Sequence, residues 1–169
     1  MSLKNLSAKT KIHKILYRKL KNKKINKIYN KFEKSLNLKT SFAVAISGGP
    51  DSLALSFLAK IYSIKNNLNT KFYIVDHKLR SGSTKEAKKV KQILKKISIN
   101  AQILTWRGTK PTKNIQSIAR SKRYELLTNI CKRLRINNIL LGHHEDDLHE
   151  NFFIRILRGS GLHGLVSLD

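Results

Sequence analysis

From residue 42 onward the chain alternates short apolar runs with longer amphipathic ones. "FAVAIS" (42–47), "KFYIVD" (71–76), "AQILTW" (101–106) and "NNILLGH" (137–143) are brief, apolar and followed by turn-forming or polar residues, which predicts four buried strands. Residues 51–65, 83–98, 114–135 and 146–159 carry the longer spacing of helices. Strands that alternate with helices require right-handed crossovers, so the predicted fold is α/β, a doubly wound parallel sheet covered on both faces.

Residues 1–40 follow a different rule. Ile12, Ile15, Leu16, Leu20, Ile25, Ile28, Tyr29, Phe32 and Leu36 recur mostly at steps of three and four, without a Gly or Pro. That pattern predicts amphipathic helices. Residues 1–40 hold thirteen Lys or Arg against one acid, Glu33, so the outer faces of these helices are covered with lysine. Two readings fit this basic helical N-terminal extension: an arm that grips RNA phosphates, or a solvated helical cover on the domain that follows.

Composition narrows the class. The 169 residues suffice for one domain with a real core. No apolar run approaches the roughly 20 residues of a membrane span, and the N-terminus lacks the apolar stretch of a signal peptide, so the expected location is cytoplasmic with no membrane partner. Cys131 is the sole cysteine, which excludes an internal disulfide or a Cys-x-x-Cys pair and leaves a buried thiol. The net charge of +25 points to a polyanionic partner, nucleic acid first, although a lysine-rich proteome would raise the same count.

In an open α/β sheet, ligands bind beyond the carboxyl ends of the strands. The unusual residues lie there: "SGGPDS" (47–52), "DHKLR" (76–80), "WRGTKP" (106–111) and "GHHEDD" (142–147). In the first, Gly48 and Gly49 permit a tight strand-to-helix turn whose bare N–H groups ring an anion, and the helix dipole adds positive potential. Pro50 suits a helix start, and Ser47 and Ser52 add hydroxyls. Asp51 beside a phosphate makes sense if it holds Mg²⁺; the alternative is that Asp51 or Ser52 only caps the helix. The sequence G-x-x-x-x-G-K-[ST] is absent, as is G-x-G-x-x-G.

In "GHHEDDLHEN" the five-residue step from His144 to His149 is wrong for a zinc-binding helix pair. A helix from about Glu145 aligns Asp147 with Glu150 and Asn151. Arg120 and Arg123 fall near one helix face, with Asn114 as a candidate cap. Asp76 either takes a ribose hydroxyl or caps its own turn. Trp106 either meets an unpaired base or is buried at a strand end.

"SGGPDS" is similar to the S-G-G-x-D-S loop of the PP-loop ATP pyrophosphatases. With "VDHKLR", "NIQSIARSKRYELL", "GHHEDD" and "ENFFIRILRGSGLHGL", the chain from about residue 42 to its end resembles the tRNA(Ile)-lysidine synthases. The resemblance implies an adenine nucleotide α hydrolase-like, Rossmann-like domain over 41–169, cut short at its C-terminal end relative to the family. It implies a carbon–nitrogen ligase that uses ATP and Mg²⁺ to join free L-lysine to C2 of the wobble cytidine in the CAU anticodon of tRNA(Ile). An adenylated tRNA would be the intermediate. The implied nucleotide-binding residues are Ser47, Gly48, Gly49, Pro50, Asp51, Ser52, Asp76 and His77. Asp51 and Asp147 are the implied metal ligands, and Asp51, Arg120, His143, Asp147, Glu150 and Asn151 the catalytic set, with His143 and His144 not separable. Leu148 departs from the glutamine usual in the family. A tRNA-base thiolase with the same loop needs paired cysteines that the sequence lacks. A non-catalytic ATP- and tRNA-binding module is the other alternative, and the oligomeric state, a homodimer included, is left open.

Overall fold

A computed structural model describes residues 10–109 and 111–142. Two helices come first, α1 (Thr10–Leu20) and α2 (Lys23–Ser35). Then follow β1 (Phe42–Ile46), α3 (Pro50–Lys65), β2 (Thr70–Asp76), α4 (Ser83–Lys96), β3 (Ala101–Thr105), α5 (Ile115–Arg133) and β4 (Asn138–Leu141). The fourth predicted helix, 146–159, lies outside the described residues.

The strands form one sheet in the order β3-β2-β1-β4. All three pairings are parallel, with Phe42 opposite Thr70 and Asn138, and Phe72 opposite Ala101. β1 is buried along its whole length, as expected of a parallel strand covered on both faces. On one face Phe42, Val44, Ile46, Phe72 and Ile74 pack with Ala59, Ile61, Ala87 and Leu94 from α3 and α4. On the other, Ala43, Ala45 and Tyr73 pack with Leu127, Ile130 and Cys131 from α5. Alternation along each strand thus assigns successive residues to opposite layers.

α3 buries four small residues alongside the large Ile61 and Tyr62. Ser52, Ser56, Ala59 and Ser63 recur at i, i+4, i+7 and i+11. Each of the three hydroxyls donates to a carbonyl of α3's own first turn or its preceding turn, so none is left unpaired. The N-terminal helices pack beside α3 through buried Leu16 and Tyr29. Their break falls at Asn22, whose side chain accepts from the amides of Lys24 and Ile25 and so starts α2.

The crossovers position the site. Chain order β1, β2, β3 proceeds toward one edge with α3 and α4 on one face; α5 then returns on the opposite face to place β4 on the far side of β1. The direction of winding therefore reverses between β1 and β4, and a crevice opens beyond their carboxyl ends.

Candidate phosphate-binding site

The loop between β1 and α3 sits at that reversal. Gly48 has φ +97°, a conformation that L side chains rarely adopt. A Cβ there would also lie 2.7 Å from Val90 Cγ2 on α4. Gly49, the N-cap of α3, differs: φ is −70°, ψ is 165°, and the nearest atom to an added Cβ is Ser47 Oγ at 3.8 Å. Only the first glycine is required by local geometry, which corrects the expectation that both serve the turn in the same way.

Ser52 ties the loop together. Its buried hydroxyl accepts from the Gly48 amide at 3.1 Å and donates to the Gly49 carbonyl at 2.9 Å. Ser47 Oγ lies 3.2 Å from Ser52 Oγ. Pro50 opens α3 as expected. The first intrahelical bond runs from the Leu53 amide to the Gly49 carbonyl, so the amides of Asp51 and Ser52 precede the ladder and face the rim, where the helix dipole is positive. Asp51 is exposed, makes no side-chain cap, and has neither an ion pair nor a hydrogen bond to its carboxylate among the described residues. Such a carboxylate is free to meet a cation. No group of three or more metal-ligating side chains occurs among the described residues, and Asp147 lies outside them.

Two small cavities flank the loop. One, of about 40 Å³, is bounded by Ser47, Ser52, Arg123, Tyr124 and Gly142. The other, of about 80 Å³, is bounded by Ser47, His77, Arg80, Glu86 and Arg123. Both are well below the roughly 300–1,000 Å³ that encloses a whole small-molecule ligand; they suit a phosphate or a few waters.

Arg123 lines both cavities and has no ion-pair partner among the described residues. Arg80, by contrast, is paired with Glu86 at 2.7 Å. Arg120 is exposed and lines neither cavity; its guanidinium sits 5.6 Å from the centre of the Tyr124 ring, while Tyr124 itself borders the cavity beside Ser52. The sequence placed the two arginines together, and docking of α5 sets Arg123 against the loop.

Asp76 is 2% exposed and closes its own turn. It accepts from Ser83 Oγ at 2.7 Å, Thr84 Oγ1 at 2.6 Å and the Lys78 amide at 3.1 Å. Burial alone would raise its pKa, but the Thr84 and Ser83 hydroxyls, the Lys78 amide and the Lys78 charge together bring it below the usual value. His77 Nδ1 accepts from the Leu79 amide at 3.2 Å. Burial, then the charges of Arg123 and Arg80, lower its pKa, against the opposing pull of Asp76 and Glu86. Its neutral form, with the proton on Nε2, is the one that fits.

Gly142, at the end of β4, opens the "GHHEDD" cluster expected at the rim but is not among the residues the sequence singles out as site residues. A Cβ there would lie 2.8 Å from Ser52 Cα and 2.9 Å from Ser52 N, so the backbones of β4 and α3 meet only because residue 142 has no side chain. Asn114 is the N-cap of α5, yet it adopts φ 54° and its side chain makes no capping bond; the expected side-chain cap is not formed. Trp106 is partly buried, its amide bonded to the Asp76 carbonyl and its ring close over Gly108. Cys131 is buried, and burial raises its pKa. His143, Asp147, Glu150 and Asn151 lie outside the described residues. From the expected set the structure brings together Ser47, Gly48, Gly49, Pro50, Asp51, Ser52 and His77, and it adds Arg123 and Gly142. It holds Asp76 in its own turn and leaves Arg120 outside both cavities.

A doubly wound parallel sheet, with a glycine turn leading into a helix N-terminus at its switch point, defines a phosphate-loop nucleotide-binding domain. Residues 18–169 match the PP-loop domain family, and the chain belongs to it. It is 48% identical over 125 residues to the tRNA(Ile)-lysidine synthase of Orientia tsutsugamushi (strain Boryong), a match spanning 74% of this chain and 28% of that protein. It is 40% identical over 146 residues to the tRNA(Ile)-lysidine synthase of Rickettsia akari (strain Hartford), spanning 83% of this chain and 34% of the relative. The chain thus covers about a third or less of the length of these relatives. Among solved structures it resembles the U34-tRNA thiolase NcsA from Methanococcus maripaludis, with its 4Fe–4S cluster, at a TM-score of 0.69 and 19% identity over 82% of this chain and 52% of that one. That likeness concerns the fold, which is of the adenine nucleotide α hydrolase type. No described helix is long and apolar enough to cross a membrane.

Proposed function

We propose that the domain binds ATP through the loop at 47–52 and acts in ATP-dependent joining of lysine to the wobble cytidine of a CAU-anticodon tRNA(Ile). The observation that carries this reading is the built loop: Gly48 in a left-handed turn, locked by the Ser52 hydroxyl against Val90, at the open end of α3. The relatives named as tRNA(Ile)-lysidine synthases support the choice of reaction.

In this reading the loop amides and Arg123 hold the β- and γ-phosphates. The cytidine O2 attacks the α-phosphorus, and the bond to the pyrophosphate oxygen breaks. The lysine amine then attacks C2; the carbon–oxygen bond to AMP breaks, and the amine gives up a proton. The chain supplies position and charge neutralisation rather than a nucleophile of its own. Asp51, with its free carboxylate in the first turn of α3, is the described residue to hold Mg²⁺, which when bound would offset phosphate charge. Asp147 is the proposed second ligand, and His143, Glu150 and Asn151 complete the proposed site; Arg120, which lines neither cavity beside the loop, is assigned to the adenylated base rather than to ATP.

The test is tRNA-dependent exchange of pyrophosphate into ATP, together with incorporation of labelled lysine into tRNA. Asp51→Ala is expected to abolish both. Activity at the wild-type level in that variant refutes the assignment.

A further inference from the structure

At the opposite end of α3 from the phosphate loop, α1, α2 and α3 enclose an open groove of about 890 Å³. It is floored by apolar groups, among them Leu20 and Ile61. Its walls are lysines. Lys23, Lys27, Lys31 and Lys34 recur on α2 at steps of four, four and three, which places them on one face. Lys21, from the turn before α2, extends the row. All five are exposed. Asn26 and Asn30, bonded to each other at 2.9 Å, fill the same face with neutral polar groups.

The only acid in the N-terminal helices does not interrupt this row. Glu33 accepts from Lys65 Nζ on α3 at 2.7 Å and from the Tyr29 hydroxyl on its own helix at 3.1 Å, so its charge is taken up by Lys65 at the groove's edge rather than by the row. Among the described residues that line the groove none is acidic. From Lys23 to Lys34 the row rises about 16 Å along the helix and carries four lysines, with Lys21 just before it. Five exposed lysines along one groove, with no ion-pair partner among the described residues, suit a linear polyanion.

We propose that this groove binds the phosphate backbone of RNA. The choice of RNA rests on the proposed function, whose substrate is a tRNA. α3 has 16 residues, so about 24 Å separates the groove from the rim of the sheet. The same tRNA can therefore reach both through a stem that spans this distance. The groove grips the stem by charge, while the rim selects the base.

The test uses the 169-residue chain and a tRNA transcript with a CAU anticodon, with binding measured by filter retention from 50 to 300 mM KCl. Each phosphate contact on a duplex is worth about fivefold in affinity at 0.15 M salt, so Lys23→Gln/Lys27→Gln/Lys31→Gln should weaken binding roughly a hundredfold or more and flatten the log–log salt slope by about 2.7. Replacing the same three by arginine should preserve both. The three side chains are exposed, and a thermal melt and the heat of ATP–Mg²⁺ binding should match wild type. Wild-type tRNA affinity and slope in the glutamine variant overturn the proposal, as does failure of the wild-type chain to bind the transcript at any salt. Loss of binding to phosphatidylserine vesicles with tRNA binding unchanged would assign the groove to lipid and also overturn it. Absence of ATP heat with the lysine-dependent RNA binding intact would refute the nucleotide reading and leave this one standing.

Discussion

Gly48 and Gly49 are adjacent and chemically identical, yet the structure predicts losses of very different size for the same substitution. Alanine at 48 must adopt φ +97°, which costs a residue with a Cβ roughly 1–2 kcal/mol. Its Cβ also meets Val90 Cγ2 at 2.7 Å, an overpacking of the kind that costs about 1–3 kcal/mol when a β-branched neighbour must move. The sum, about 2–5 kcal/mol, is a large part of the roughly 5–15 kcal/mol that stabilises a domain. Alanine at 49 keeps φ −70° and meets nothing closer than 3.8 Å. It gives up only the N-cap preference for glycine over alanine, about 1 kcal/mol or less. Urea denaturation followed by circular dichroism reads both as shifts in midpoint at constant slope.

The steric part can be isolated. Val90→Ala removes the methyl that the new Cβ would strike, so the double variant Gly48→Ala/Val90→Ala should lose at least about 1 kcal/mol less than the two single losses added together. Strict additivity would refute the contact. A loss below about 1 kcal/mol for Gly48→Ala alone would refute the conformational argument for the loop as well.

Four other outcomes follow from the same geometry. Gly142→Ala drives a Cβ into the Ser52 backbone at 2.8 Å, and a thermal melt should show a drop of roughly 5–10 °C, since about 1 kcal/mol moves the midpoint of a chain of this size by 2–4 °C. Arg123→Ala should weaken ATP binding at least about tenfold by calorimetry, a charge-assisted phosphate contact being worth ~1.5–3 kcal/mol, whereas Arg120→Ala, outside both cavities, should change it by no more than about threefold. The folded pKa of His77 lies below its ordinary 6.5, so the native state resists the proton. Stability is complete above pH 6.5 and falls as pH drops from there toward the folded value; His77→Gln should remove that part of the slope in urea midpoints taken at half-unit steps. Asp76 follows at lower pH: its folded pKa lies below 3.8, its contribution is complete above that value and is lost as pH falls through the folded one, and Asp76→Asn should flatten the curve there.

The fold was legible because its elements have different periods. β1 to β4 and α3 to α5 fall where apolar runs and helical spacing put them, with ends moved by one or two residues as Ser47 and Trp106 leave the ladder to turn. The site was legible only in part. The loop announced itself by composition, but the difference between Gly48 and Gly49 depends on Val90, some forty residues away on α4, and no local pattern carries that. Arg120 and Arg123 are three residues apart, and the choice between them is made by how α5 docks. Gly142 could have been suspected as a glycine that ends a strand at the reversal of winding. Asp76 left two readings open until Ser83 and Thr84 were found to supply its hydrogen bonds, and its role in closing the turn follows from them.

The distribution of charge separates the two ends of the molecule. The loop "SGGPDS" contains no lysine or arginine; its attraction for an anion comes from amides, a helix terminus and Arg123 brought in from α5. That device suits a compact triphosphate, because dipoles fixed by the backbone act over short range and need no side-chain ordering. The lysines of α2 form the opposite device: flexible, exposed cations at even spacing, weak singly, and strongly dependent on salt when several act along one strand. A nucleotide alone would leave the second device without a use, and an RNA alone would leave the first without one. Both are explained when one catalytic cycle brings a small polyphosphate to the rim and a long polyanion to the flank. On this account, loss of the lysine row should raise the tRNA concentration needed for half-maximal activity and leave the ATP requirement unchanged, and a shift in both together would count against two independent sites.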